Sequence, residues 1–307
     1  MISEYYRSQA DLLLQVMPFI AIEKTFALKG GTAINLFLRN MPRLSVDIDL
    51  TYLPFDNREK ALTNISETLG KIRERIRKNV PGISVGGYTS DGNEIKLLAH
   101  SKNAQIKIEV NTITRGHLFP VRELQVNETV QDEFKKFATI QVVSNAELYG
   151  GKICAALDRQ HPRDLFDVYL LYQESGITED LKNGFLIALV SHMRTINEIL
   201  QPHLLDQRSA FEYQFAGMSS IPFTYDNFES TREQLVLKVN SSLSENDRKF
   251  LLGFKKGTPD WDLFLLPGLR EMPAVKWKLK NIQNLKKTNP AKHKELVEKL
   301  DSFFQKQ

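Results

Sequence analysis

The chain has 307 residues, enough for two domains of ordinary size or one large one. Hydrophobic residues make up 42% and charged residues 25%, which suits a folded protein with a real core and excludes a disordered polyelectrolyte. A formal charge of +4 excludes a strongly basic protein, and a single cysteine, Cys154, excludes an internal disulfide.

The lone thiol, with no Cys/His cluster to suggest zinc, points to a reducing cytoplasm. Residues 1–11 carry no basic start followed by an apolar core. No stretch approaches the roughly 18 apolar residues of a membrane span. A cytoplasmic protein with no membrane partner is expected. The charge is uneven, however: residues 270–307 hold ten Lys/Arg against four Asp/Glu. That surplus either meets a polyanion or is a solvated helix face.

In chain order, residues 5–19 read as a short amphipathic helix. Phe26-Ala27-Leu28 is a brief apolar run that ends in Lys29-Gly30-Gly31-Thr32. Ala33, Ile34, Leu36, Phe37 and Leu38 then begin a helix that stops before Pro42. Residues 46–50 alternate, with Val46, Ile48 and Leu50 against Asp47 and Asp49. Period two therefore puts both aspartates on one strand face. Residues 58–80 form the clearest helix, with Leu62, Ile65, Leu69, Ile72, Ile76 and Val80 at steps of three and four. Strands are expected at 83–88, 94–99 and 105–111. Asp91-Gly92-Asn93 makes a hairpin turn between the first two, and in the third Lys107, Glu109 and Asn111 share a face.

Ser144-Asn145-Ala146-Glu147 has the pattern of a capping box and opens a helix that carries Lys152. His161-Pro162-Arg163-Asp164 starts the next one, which Ser175-Gly176 closes. Beyond it, residues 178–200 and 231–256 read as helical and 202–230 as irregular. Leu296, Val297, Leu300, Phe303 and Phe304 mark a C-terminal amphipathic helix. Strand signals are scarce after residue 143. The fold class expected is mixed α/β (α+β): a catalytic domain over residues 1–176, then a mostly helical domain over 177–307.

Four elements could carry chemistry. Gly30-Gly31-Thr32 lets backbone approach a phosphate, or is simply a turn. Asp47 and Asp49 are cheap on a solvent-facing edge strand. They are also the hard oxygen ligands that Mg²⁺ takes. Glu109 alone is a surface glutamate. If its strand lies beside that of Asp47 and Asp49, three carboxylates could hold one or two metals for an in-line phosphoryl displacement. Lys152 with Asp164 and Asp167 is either a helix-surface ion network or a point charge for a nucleotide phosphate, oriented by the aspartates. The six histidines are dispersed, no Ser nucleophile elbow occurs, and Walker A and G-x-G-x-x-G patterns are absent. Cys154, amid Ile153, Ala155 and Ala156, reads as a packed thiol.

In order, Lys29-Gly30-Gly31-Thr32-Ala33 and Arg43-Leu44-Ser45-Val46-Asp47-Ile48-Asp49-Leu50 resemble the signature of DNA polymerase β-like nucleotidyltransferases. More narrowly, they resemble the AbiEii/AbiGii toxin nucleotidyltransferases of bacterial abortive-infection and toxin–antitoxin systems. Ile106-Lys107-Ile108-Glu109-Val110 matches the third-carboxylate strand. Lys152 and Arg163-Asp164-Leu165-Phe166-Asp167 match the later motifs. The resemblance covers about residues 25–172. It implies a nucleotidyltransferase-type mixed sheet flanked by helices, with Asp47, Asp49 and Glu109 as Mg²⁺ ligands. Gly30, Gly31, Thr32, Ser45, Lys152 and Asp164 would bind nucleotide, and Lys152 and Asp167 would complete the catalytic set. It further implies NTP as substrate, an acceptor hydroxyl such as the acceptor end of tRNA or another RNA, and a cognate antitoxin that need not touch the toxin. Two other readings stay open: a small-molecule nucleotidyltransferase of the aminoglycoside-modifying kind, and a non-enzymatic nucleotide-binding module.

Overall fold

Alternation and periodicity become one mixed sheet and a set of helices in the computed structural model, which describes residues 4–90 and 92–306. The chain divides into two compact units. Residues 1–144 with 209–224 form the first, and residues 145–208 with 225–307 the second. Ser175 and Gly176, where the sequence suggests a boundary, lie inside the second unit.

In the first unit, α1 (Glu4–Ala21) is followed by β1 (Phe26–Lys29). A helical turn, α2 (Gly30–Thr32), then widens into a π-helical stretch, Ala33–Leu38. β2 (Asp47–Tyr52) leads to α3 (Arg58–Asn79), where the Asn57 side chain accepts the backbone N–H of Lys60 and caps the helix. Next come β3 (Ser84–Ser90), β4 (Asn93–His100), β5 (Gln105–Asn111), β6 (Arg122–Gln125), α4 (Glu128–Phe134) and β7 (Thr139–Val142). The register closes the β3–β4 hairpin at Ser90↔Asn93. Gly92 sits at φ +77°, and Asp91 of the expected turn lies outside the described residues.

The strands form one sheet in the order β3-β4-β5-β2-β1-β7-β6. β2–β5 and β1–β7 run parallel and the other neighbours antiparallel. Helices α1 and α3 pack against the sheet. Ile48, Leu50, Ile106, Ile108 and Val110 are buried, while Asp47, Asp49, Lys107 and Glu109 are only half-buried. The alternation read in residues 46–50 and 105–111 is therefore a physical division between core face and open face.

Residues 209–224 join this unit by backbone bonds. Leu44 N–H donates to Met218 O at 2.8 Å and Ser220 N–H to Pro42 O at 3.0 Å, with a bridge between Arg43 and Ser219. Phe211, Phe215 and Phe223 gather in a small aromatic cluster. The stretch expected to be irregular thus contains a short helix, α9 (Arg208–Gln214), and the start of α10.

Among the described residues the second unit is helical. It contains α5 (Asn145–Arg159), α6 (Pro162–Glu174), α7 (Glu179–Ser191) and α8 (Ile196–Leu200), then α10 (Tyr225–Ser242), α11 (Glu245–Lys256), α12 (Pro273–Thr288) and α13 (Pro290–Gln305). The region read as one helical stretch, 178–200, is two helices. Between them Lys278 Nζ donates to the carbonyls of Leu189, His192 and Arg194 at 3.0, 2.6 and 2.7 Å, satisfying acceptors at and beyond the end of α7.

Helices α5 and α7 cross at glycine. A Cβ built at Gly150 would collide with the backbone of Gly184 and Phe185, and one at Gly184 with the carbonyl of Ala146. Helix propensity alone would favour Gly184→Ala by about 1 kcal/mol. The obstructing atoms are backbone and cannot rotate away, so overpacking wins. Gly184→Ala is expected to destabilise the protein by roughly 1–3 kcal/mol in chemical denaturation. A gain in stability would show that the two helices are free to separate.

Candidate active site

The parallel pairing of β2 with β5 sets Asp47 opposite Lys107 and Asp49 opposite Glu109. In a parallel pair, residues in register point to the same face, so all four share the open side of the sheet. The antiparallel pairing of β1 with β2 adds Lys29 opposite Asp49. The result is a row of one cation and two adjacent acids, Lys29–Asp49–Glu109, with the pair Asp47 and Lys107 two residues along on the same face.

Lys107 Nζ lies 2.9 Å from Glu109 Oε2. Burial alone would lower its pKa, but the Glu109 hydrogen bond and the charges of Asp47, Glu109 and Asp49 outweigh that and hold the ammonium above its ordinary value. Lys29 is the opposite case. Loss of hydration lowers its pKa against the pull of Asp49 and Glu109, and its Nζ bonds Thr114 Oγ1 at 3.3 Å. Asn111, the last residue of β5, holds that loop by accepting the backbone N–H groups of Ile113 and Thr114.

The glycine turn touches the same face. Gly30 has φ +73°, and a Cβ there would stand 2.7 Å from Asp49 Oδ2. A side chain is excluded twice, by the backbone angle and by the carboxylate. At Gly31 a Cβ would meet Arg43 Nη2 at 2.6 Å and Ser45 Oγ at 3.1 Å. The Thr32 hydroxyl donates to the carbonyl of Asp47 and shares a 2.9 Å bond with the Ser45 hydroxyl. Both hydroxyls are buried, so they tie the turn to the start of β2. Arg43, buried with Nη1 on Leu44 O at 3.0 Å, braces the same corner. Arg43 heads the family-like string in the sequence, but its burial is not legible there, because an arginine ahead of a strand gives no sign that it will be buried.

Asp47, Asp49 and Glu109 are hard oxygen donors on adjacent strands of one half-buried face, and Gly30 leaves room beside Asp49. By donor chemistry the set suits a divalent cation such as Mg²⁺, which takes hard oxygen ligands. Among the described residues, no three His, Cys, Asp or Glu side chains are grouped closely enough to hold a metal. The carboxylate of Glu109 is turned to the Lys107 ammonium.

Lys152, Asp164 and Asp167 come together in the second unit. Lys152 Nζ lies 2.7 Å from Asp164 Oδ1 and 3.0 Å from Asp167 Oδ2, and all three residues are buried. Arg159, absent from the sequence reading, grips Asp164 with Nε on Oδ2 at 2.6 Å and Nη2 on Oδ1 at 3.1 Å. Burial pushes the Asp164 carboxyl up, but Lys152 and Arg159 overwhelm that and hold it far below the usual carboxylate range. These are buried ion pairs between α5 and α6, in place of the alternative of a helix-surface network. Cys154, on α5, is buried and its thiol is pushed up to about 12 by burial, so it is a packed, unreactive thiol.

A seven-stranded mixed sheet flanked by helices matches the fold of a nucleotidyltransferase toxin. The family model for the nucleotidyl transferase AbiEii toxin of type IV toxin–antitoxin systems matches residues 11–281, and the chain belongs to that family. It is a nucleotidyltransferase toxin of a type IV toxin–antitoxin system, and the family description implies an antitoxin partner and an NTP substrate. Among solved structures, MenT4, a nucleotidyltransferase toxin from Mycobacterium tuberculosis H37Rv, matches with a TM-score of 0.62 at 15% identity. The match covers 91% of this chain and 93% of that one, and it shows the shared fold. A comparison with curated proteins finds no significant match. No helix among the described residues is long and apolar enough to cross a membrane.

Proposed function

We propose that this enzyme uses Mg²⁺ and NTP to transfer a nucleoside monophosphate to an RNA acceptor hydroxyl, with the acceptor end of tRNA as the target and pyrophosphate as the by-product. The observation that carries this reading is the register Asp49↔Glu109 with Asp47 two residues before it on the same face. Asp47, Asp49 and Glu109 would hold the cation. When bound, Mg²⁺ neutralises charge on the α-phosphate and makes the attacking oxygen more nucleophilic.

The chain's own groups do the positioning. Gly30 and Gly31 let backbone reach the phosphates, and Thr32 and Ser45 fix the turn against β2. Lys152, clamped by Asp164 and Asp167, is a pre-oriented point charge for a phosphate. Residues 1–176 would carry the chemistry and the helical residues 177–307 would serve the acceptor. Exposed Lys280, Lys286, Lys287 and Lys292 on α12 and α13 favour a polyanionic acceptor over a small cationic one. Such a reaction belongs in the cytoplasm, where NTP and tRNA are found.

Purified protein incubated with each labelled NTP, Mg²⁺ and total RNA should place label in the tRNA band, and omission of Mg²⁺ should abolish it. Label confined to small molecules would replace RNA with a small acceptor. No label with any NTP would return the chain to a nucleotide-binding role.

A further inference from the structure

The open face of the sheet carries its own cation. Three carboxylates, Asp47, Asp49 and Glu109, would repel one another in a half-buried site, and Lys107 stands in register with the first of them. Its ammonium is 2.9 Å from Glu109 Oε2 and lies within the field of all three. A divalent ion held by the same trio would need the Glu109 carboxylate that this ammonium already engages, and two cations cannot share those oxygens without strong repulsion. Lys29 is fixed at the far end of the row by Thr114. Lys96, opposite Glu109 on β4, lies 5.2 Å from the Tyr88 ring centroid. Neither stands in register with Asp47, so Lys107 is the lysine placed to compete.

We propose that Lys107 is a resident counter-ion of the carboxylate face, a positioning residue that blocks metal binding in the nucleotide-free protein and moves to the triphosphate when Mg²⁺·NTP arrives. The inference rests on the assignment of Asp47, Asp49 and Glu109 as metal ligands. Lysine suits the task because it is a compact point charge on a flexible four-carbon stem, able to leave a carboxylate for a phosphate oxygen without changing its protonation. Its half-exposed position leaves the side chain room to move. The incoming triphosphate provides the anionic partner that makes the exchange favourable. The ammonium would then pair with phosphate and leave the carboxylates to the cation, which removes the competition. Metal and nucleotide would bind with positive coupling, because each removes an obstacle to the other.

Mn²⁺ binding to the purified full chain, followed by the free-ion signal in electron paramagnetic resonance, tests this without any turnover. In the absence of nucleotide, Lys107→Met should bind Mn²⁺ at least about fivefold more tightly than the wild type, and Lys107→Arg, which keeps the charge, should not. With a non-hydrolysable NTP analogue present, the difference between Lys107→Met and wild type should shrink toward one, and Lys107→Met should bind the analogue more weakly. Nucleotide-free Mn²⁺ affinity that is unchanged or lower in Lys107→Met would overturn the proposal. Asp47→Asn separates the two claims. Loss of Mn²⁺ binding there, with no gain in Lys107→Met, rejects the counter-ion role alone. Mn²⁺ binding untouched by Asp47→Asn rejects the ligand assignment itself, and the counter-ion role with it.

Discussion

Asp47→Ala is expected to lower nucleotide transfer by about 10³-fold or more while leaving the protein folded. Each tenfold is about 1.4 kcal/mol of transition-state stabilisation, so the loss corresponds to about 4 kcal/mol, within the range expected when a metal's contribution to charge stabilisation is removed. The fold should not notice. Asp47 is the first residue of β2 and half-buried on the open face, and its ladder pairing with β5 is made by backbone. Removing one of three like charges also relieves repulsion with Asp49 and Glu109. Label transfer measured beside a thermal melt checks both halves. Asp56 is a useful control carboxylate, because it is engaged by Tyr52 at 2.7 Å and Lys60 at 2.8 Å. Asp56→Asn should keep most of the transfer activity. Growth arrest by Asp47→Ala equal to that of the wild type would remove Asp47 from the chemistry.

What could be read in the chain and what could not divide by the range of the forces involved. Val46, Ile48 and Leu50 alternate with Asp47 and Asp49 within five residues, and that local rule alone gives the two faces of β2. The 3.6 period of Leu62, Ile65, Leu69, Ile72 and Ile76 likewise gives α3, whose observed span, Arg58–Asn79, agrees with 58–80 to a residue. β6 passes unnoticed because four mostly exposed residues on a sheet edge, three of them polar, carry too little apolar signal to mark a strand. The break between α7 and α8 is invisible for a different reason: Lys278, some ninety residues away, bonds the carbonyls there. The docking of residues 209–224 on Pro42 and Leu44 runs through backbone groups, which every sequence has. At the carboxylate row, the strand faces were legible and the strand neighbours were not. No local pattern says that β5 lies next to β2, and only that pairing puts Lys107 among the acids.

The second large effect concerns stability. Lys152→Met keeps the length of the side chain and removes its charge, leaving Asp164 and Asp167 buried without their shared ammonium. Breaking a buried ion pair from one side typically costs about 3–5 kcal/mol, because the abandoned charge keeps its desolvation penalty. Arg159 remains on Asp164 and softens the loss on that side. The expected fall is therefore about 3 kcal/mol in urea denaturation at pH 7. The pH dependence follows from Asp164, whose carboxyl is held below its unfolded value. A depressed carboxyl adds stability that is fully present above the unfolded pKa of about 3.9 and is lost as pH falls toward the folded value. Wild type and variant should thus differ most at neutral pH and converge as the pH drops below about 4. Equal stability of the two proteins at pH 7 would mean that water or backbone already satisfies the aspartates, and that Lys152 is held between them for the sake of its charge alone.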